Sequence, residues 1–139
     1  MNDSSSRIVV GVDGSDHSII ALRQAAEIAQ SLGCTVHAIC TWQYPAMGAE
    51  FVQIDWSPEE DAKAILVDAA TAAYGDSPPE GFSTEAVRGT PASVLIDVSK
   101  DARMLVVGSR GHGGFSGLLL GSVSQAVIAH AECPVLVAR

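Results

Sequence analysis

The run Ile8-Val9-Val10-Gly11-Val12, cut short by Asp13-Gly14-Ser15, constrains the fold of this chain more than any other feature. A strand that is apolar on both sides must be covered on both sides, which is the habit of parallel sheets flanked by helices. Residues 7–12 therefore read as a first strand. Ser15 is placed to cap a helix over 16–32, in which Ile19, Leu22, Ala26 and Ala29 recur at helical spacing and Gly33 suits the stop.

The alternation then continues. Residues 35–41 read as a second strand, with Val36, Ala38 and Cys40 on one face and His37 and Ile39 on the other. Ser57-Pro58-Glu59-Glu60 opens a helix that runs to about Tyr74. Residues 82–88 form a third strand, Thr90-Pro91 opens a helix to about Asp101, and 104–108 form a fourth strand. A helix over 122–131 and a last strand over 134–138 complete the series. The order β-α-β-α-β-α-β-α-β calls for right-handed crossovers and helices on both sheet faces. One domain over 1–139 is expected, with a flexible tail at 1–6 and a mobile loop at 42–56, where Trp42 and its successors in the loop could cover a ligand.

Composition excludes several classes. Sixteen acidic and 8 basic side chains leave a formal charge of −8, the wrong sign for general binding to a nucleic-acid backbone. No apolar stretch approaches the roughly 20 residues of a bilayer span, and no leader pattern opens the sequence. Cys34, Cys40 and Cys133 make neither an even framework nor a CxxC pair, so buried thiols in a reducing cytoplasm are expected. His17, His37 and His130 have no partner visible in the pattern, and His112 is expected to be solvated.

The chemistry concentrates in Val107–Gln125, VGSRGHGGFSGLLLGSVSQ, which holds Gly108, Gly111, Gly113, Gly114, Gly117 and Gly121. Glycines let a backbone turn tightly and present its amides with no Cβ in the way. Ser122 is read as the cap of the next helix, with Ser122-Val123-Ser124-Gln125 at capping-box spacing. A helix start of this kind carries unpaired amides and the positive dipole end, which together favour a phosphate. The echo between Val9-Val10-Gly11-Val12-Asp13-Gly14 and Val106-Val107-Gly108-Ser109-Arg110-Gly111 places two glycine turns at one sheet edge, where open α/β sheets bind ligands. There is no GKS or GKT and no GxGxxG in the first turn, which argues against a Walker A loop and a dinucleotide site.

Gly108-x2-Gly111-x9-Gly121-Ser122, with GVDGS near the start and CPVLV near the end, resembles the signature of ATP-binding universal stress proteins. The resemblance implies a five-stranded open parallel sheet of order 3-2-1-4-5, Rossmann-like and similar to the adenine nucleotide alpha hydrolases. It also implies site roles. Asp13 would contact the adenosine moiety, and Val12 and Thr41 the adenine. Val107 and Gly108 would lie on the ribose and phosphate side, with Arg110 and Gly111 in the loop. Gly121, Ser122, Val123 and Ser124 would offer amides and hydroxyls to the phosphates. ATP is the implied ligand, with ADP or cyclic AMP as alternatives and Mg²⁺ accompanying the phosphates; Asp13 alone is no metal site.

The expected output is a nucleotide-dependent conformation or choice of partner in a stress response. Catalysis is not expected beyond slow ATP hydrolysis or autophosphorylation, with Ser122 or Ser124 as acceptors, because neither Lys63 nor Lys100 lies in the glycine loop. A nucleotide-free interaction module stays open as an alternative, as does an enzyme acting on a small phosphate ester. The apolar last strand, 134–138, predicts a homodimer paired along that edge.

Overall fold

The computed structural model describes residues 6–44, 57–110 and 120–139. The expected tail (but for Ser6), the loop from residue 45 to 56, Gly111 and the other glycines up to 117 lie outside the described residues. The elements are β1 (Arg7–Gly11), α1 (Asp16–Leu32), β2 (Thr35–Trp42), α2 (Pro58–Tyr74), β3 (Ser83–Arg88), α3 (Pro91–Ser99), β4 (Met104–Gly108), α4 (Ser122–His130) and β5 (Val135–Ala138). The strands form one sheet, β3-β2-β1-β4-β5, and every neighbouring pair is parallel.

Local chemistry sets the boundaries. The Ser15 side chain accepts from the Ser18 amide, and Gly33 closes α1 in the left-handed region at φ 69°. The Ser57 side chain accepts from the Glu60 amide, with proline in the first turn of α2. Trp42, expected to begin a loop, is instead the last residue of β2. Its carbonyl accepts from the Gly89 amide at 2.8 Å, and it pairs in register with Arg88.

The strand alternation sorts the sheet into two cores. Ile8, Val10, Val36, Ala38 and Cys40 pack under Ala21, Leu22, Ala25 and Leu66 of α1 and α2. Val9, Ile39, Leu105 and Val107 pack under Leu95 of α3 and Val127 of α4. The Tyr74 hydroxyl ties the first pair of helices together, donating to the Leu22 carbonyl at 2.5 Å.

Burial pushes the Tyr74 phenol up from its ordinary 10.0 to about 12. Burial, and then the charge of Asp13, push the Cys40 thiol from 9.0 to about 11. Both groups hold their proton more tightly folded than unfolded, so their contribution is complete below about pH 9. It is lost as pH rises through 11 to 12. Chemical denaturation followed from pH 8 upward is expected to show stability falling from about pH 9, with Tyr74→Phe removing the upper part of the fall.

Two histidines expected to lack partners have them. His37 is 6 % exposed, with Nδ1 2.6 Å from the Ser83 hydroxyl and Nε2 3.0 Å from Glu85 Oε1. Because the carboxylate only accepts, Nε2 carries the proton donated to Glu85, while Nδ1 shares a hydrogen bond with the Ser83 hydroxyl. That clamp joins β2 to the outer strand β3. His17 has a different task and belongs to the site.

Candidate nucleotide site

The strand order reverses between β1 and β4. The chain leaves β1 through α1 toward β2 on one side, and arrives at β4 through α3 on the other. At that reversal, beyond the carboxyl ends of the strands, lies a cavity of about 760 Å³, within the range of about 300–1,000 Å³ typical of small-molecule sites. Its wall contains Val12, Asp13, Thr41, Val107, Gly108, Arg110, Gly121, Ser122, Val123 and Ser124. Every candidate residue that falls within the described part of the chain is therefore brought to one place.

Asp13 comes after β1 in the turn that Gly14 completes at φ 85°, a conformation that favours glycine. Asp13 Oδ1 accepts from the Ser15 amide at 2.9 Å, so the residue stabilises the turn and faces the cavity at once. Val12 is fixed beside it through its amide, which donates to the Ile39 carbonyl at 2.8 Å. Thr41 is in place near the end of β2. Trp42 does not line the cavity: it packs on the α1/α2 side, edge-on to Tyr44 at 5.6 Å, with the Arg88 guanidinium 5.7 Å from its ring centre.

On the far wall α4 starts at Ser122, as expected, but its cap is a different residue. Gly121, not Ser122, is the N-cap of α4, in ordinary extended backbone at φ −68° and ψ 162°. Its carbonyl accepts the first helical bond, from Gln125 N at 3.0 Å. The expected capping box is not used, since the Gln125 side chain donates to the Leu120 carbonyl at 2.8 Å. Gly121 has no side chain with which to cap this helix, and the amides of Ser122, Val123 and Ser124 precede its hydrogen-bond ladder. Ser122 is exposed and Ser124 buried. The Ser124 hydroxyl donates to the Gly108 carbonyl at 2.6 Å, bracing α4 against β4.

Ser109 gathers the surrounding elements. Its amide donates to the Ala138 carbonyl at 2.8 Å, its carbonyl accepts from the Gly121 amide at 2.7 Å, and its hydroxyl lies 2.9 Å from His17 Nδ1. One buried residue thus joins β4, β5, α4 and α1. Sequence reasoning also missed Ile65 of α2 and Pro91 and Leu95 of α3, apolar residues that line the cavity. Helical periodicity marks Leu95 as facing inward, but only tertiary packing shows which end of the sheet these residues reach.

The arrangement has one negative side chain, Asp13, one cationic side chain, Arg110, and a helix start among its described lining residues. Among the described residues no group of three or more His, Cys, Asp or Glu side chains could hold a metal. No helix among them is long and apolar enough to cross a membrane.

Comparison with known proteins places these features in a wider set. The universal stress protein family matches residues 5–139. Universal stress protein Rv2623 of Mycobacterium tuberculosis is 35% identical over 133 residues, which are 95% of this chain and 44% of that protein. The chain thus spans about half the length of the curated relatives it matches. Among solved structures, the universal stress protein UspA from Lactobacillus plantarum superposes with a TM-score of 0.73 at 25% identity, covering 96% of this chain and 97% of its own. A universal stress protein solved in complex with cAMP gives a TM-score of 0.70 at 28% identity, with 98% of each chain covered.

Proposed function

The chain belongs to the universal stress protein family, and from that premise we propose that it binds an adenine nucleotide, ATP foremost, in the cavity between β1 and β4. The observation that carries the reading is the start of α4, capped by a glycine with no side chain to offer its amides, opening on that cavity. Backbone amides there, with about half a positive charge from the helix dipole, recognise phosphate without a lysine. They act at contact distance, whereas the charges that make up the net −8 are screened over about 8 Å in physiological salt. The solved relative that holds cAMP supports the class of ligand.

In this reading the adenine lies among Val12, Ile39 and Thr41. Asp13 accepts from the ribose hydroxyls, and the phosphates run past Gly108 to Gly121, Ser122, Val123 and Ser124. Asp13 sets the polarity of the ligand, because its charge repels phosphate from the β1 end and accepts hydroxyl donors there. Mg²⁺ would travel with the phosphates, held by them and not by a cluster of side chains. Isothermal titration with ATP, ADP and cyclic AMP tests the proposal. Saturable binding of ATP is expected, and no binding of any of the three at millimolar ligand overturns it.

The output runs through Ser109. A ligand held by α4 and the β4 turn stiffens the joint whose amide bonds to Ala138 at the end of β5. That strand is the apolar edge of the sheet: Leu136 packs toward one core and Val135 and Val137 toward the other, all half-buried. The opposite edge, β3, presents exposed Ser83, Glu85 and Arg88, charges that discourage pairing. A second copy pairing along β5 is the proposed partner. Light scattering at micromolar concentration is expected to give twice the chain mass, and a monomer contradicts the pairing.

A further inference from the structure

His17 stands in the first turn of α1, outside the cavity wall, and bridges two consecutive residues of the β4 turn. Its Nδ1 lies 2.9 Å from the Ser109 hydroxyl and its Nε2 lies 3.4 Å from Arg110 Nη2. We infer that His17 is a positioning residue that aims the Arg110 guanidinium at the phosphate end of the cavity, an inference that rests on the nucleotide reading of the site.

The donor count fixes the direction of the bridge. A guanidinium only donates, so the nitrogen facing Arg110 must accept, and Nε2 is therefore bare. The ring proton sits on Nδ1 and is donated to Ser109 Oγ. Ser109 is itself immobile: it is 6 % exposed and bonded through its amide to Ala138 and through its carbonyl to Gly121. The imidazole is anchored at one end and holds the arginine at the other.

The backbone confirms how close the fit is. A Cβ built on Gly108 would lie 2.7 Å from His17 Cβ and 2.9 Å from its backbone carbon, so the α1 turn sits directly on β4. Arg110 is the only cation among the described lining residues. Its backbone continues from Ser109, whose carbonyl accepts from the N-cap of α4. An arginine held at that point donates charge-assisted bonds to a phosphate alongside those of the α4 amides, and holding it beforehand reduces the side-chain freedom lost on binding.

Two isosteres separate the two ends of the bridge. His17→Asn keeps a polar group near Nδ1 for Ser109 and removes the acceptor for Arg110; His17→Gln places an oxygen near Nε2. ATP affinity is expected to fall about tenfold in H17N and to stay within about threefold of the parent in H17Q. In an Arg110→Gln background, H17N is expected to change ATP affinity less than about twofold, since the group it positions is gone. Equal losses in H17N and H17Q, or an undiminished loss from H17N in the R110Q background, overturn the inference. The unaltered protein supplies a check that needs no variant: long-range ¹⁵N–¹H spectra are expected to show His17 protonated on Nδ1, and protonation on Nε2 alone overturns the bridge. If the parent binds no ATP, the nucleotide reading fails instead, and the tautomer still decides whether the bridge exists.

Discussion

Gly121→Val is expected to weaken ATP binding at least about a hundredfold while leaving the circular dichroism spectrum near that of the parent. The backbone at this position is extended, at φ −68° and ψ 162°, so valine meets no conformational barrier there. Its amide can still donate to the Ser109 carbonyl, and its carbonyl can still accept from Gln125. What changes is the cavity wall. A branched side chain stands beside the amides of Ser122 and Val123, where a phosphate must approach to contact distance. Valine is a poorer N-cap than glycine, at a cost of about 1 kcal/mol, which denaturant titration measures alongside the affinity. Binding that persists unchanged would mean that the phosphates lie elsewhere.

Gly108→Ala is expected to act on the fold before it acts on the ligand. The added methyl would lie 2.7 Å from His17 Cβ, 2.9 Å from the His17 backbone carbon and 3.0 Å from its carbonyl oxygen. Two of these are main-chain atoms in the first turn of α1, so no side-chain rotation relieves the contact. Either the helix start lifts from β4 or the strand end drops, and overpacking of this kind costs about 1–3 kcal/mol. The midpoint of urea unfolding is expected to fall accordingly. Gly11→Ala is the control: its methyl would meet Leu95 Cδ1 at 2.8 Å, the far end of a flexible side chain, and the loss is expected to be smaller. A Gly108→Ala protein as stable as the parent would contradict the packing described between α1 and β4.

These two glycines separate the features that a sequence exposes from those it hides. Both lie in the spacing that resembles the family, but spacing is blind to why each is glycine. Gly121 clears a path for a ligand, whereas Gly108 clears a path for a helix whose first turn is about ninety residues away in the chain. The alternation of strands and helices was legible because strand runs and caps are local signals that agree with one another, whereas the order of the strands in the sheet was implied by the family resemblance. Ser15 and Ser57 cap where their sequence context says they should, and the cores divide as the alternation of Val36, His37, Ala38 and Ile39 implies.

Polar partnerships between distant elements were not legible. His37 meets Ser83 and Glu85 only because β2 and β3 pair in one particular register, and a shift by one residue would turn those side chains to the other face. His17 meets Ser109 and Arg110 only because α1 crosses the end of β4. The cap of α4 moved from Ser122 to Gly121 for a different reason. Glycine and serine are both competent caps, and the choice of Gly121 is made by its amide bond to Ser109, a contact no local pattern contains.

Amide spectra of ¹⁵N-labelled protein titrated with ATP address the central claim most directly. Saturable shifts are predicted to be largest at Ser122, Val123 and Ser124, with Gly108 and Asp13 tracing the same binding curve. Saturation with those three amides unmoved, or no shift anywhere at millimolar ATP, would contradict the claim that the start of α4 is what receives the nucleotide.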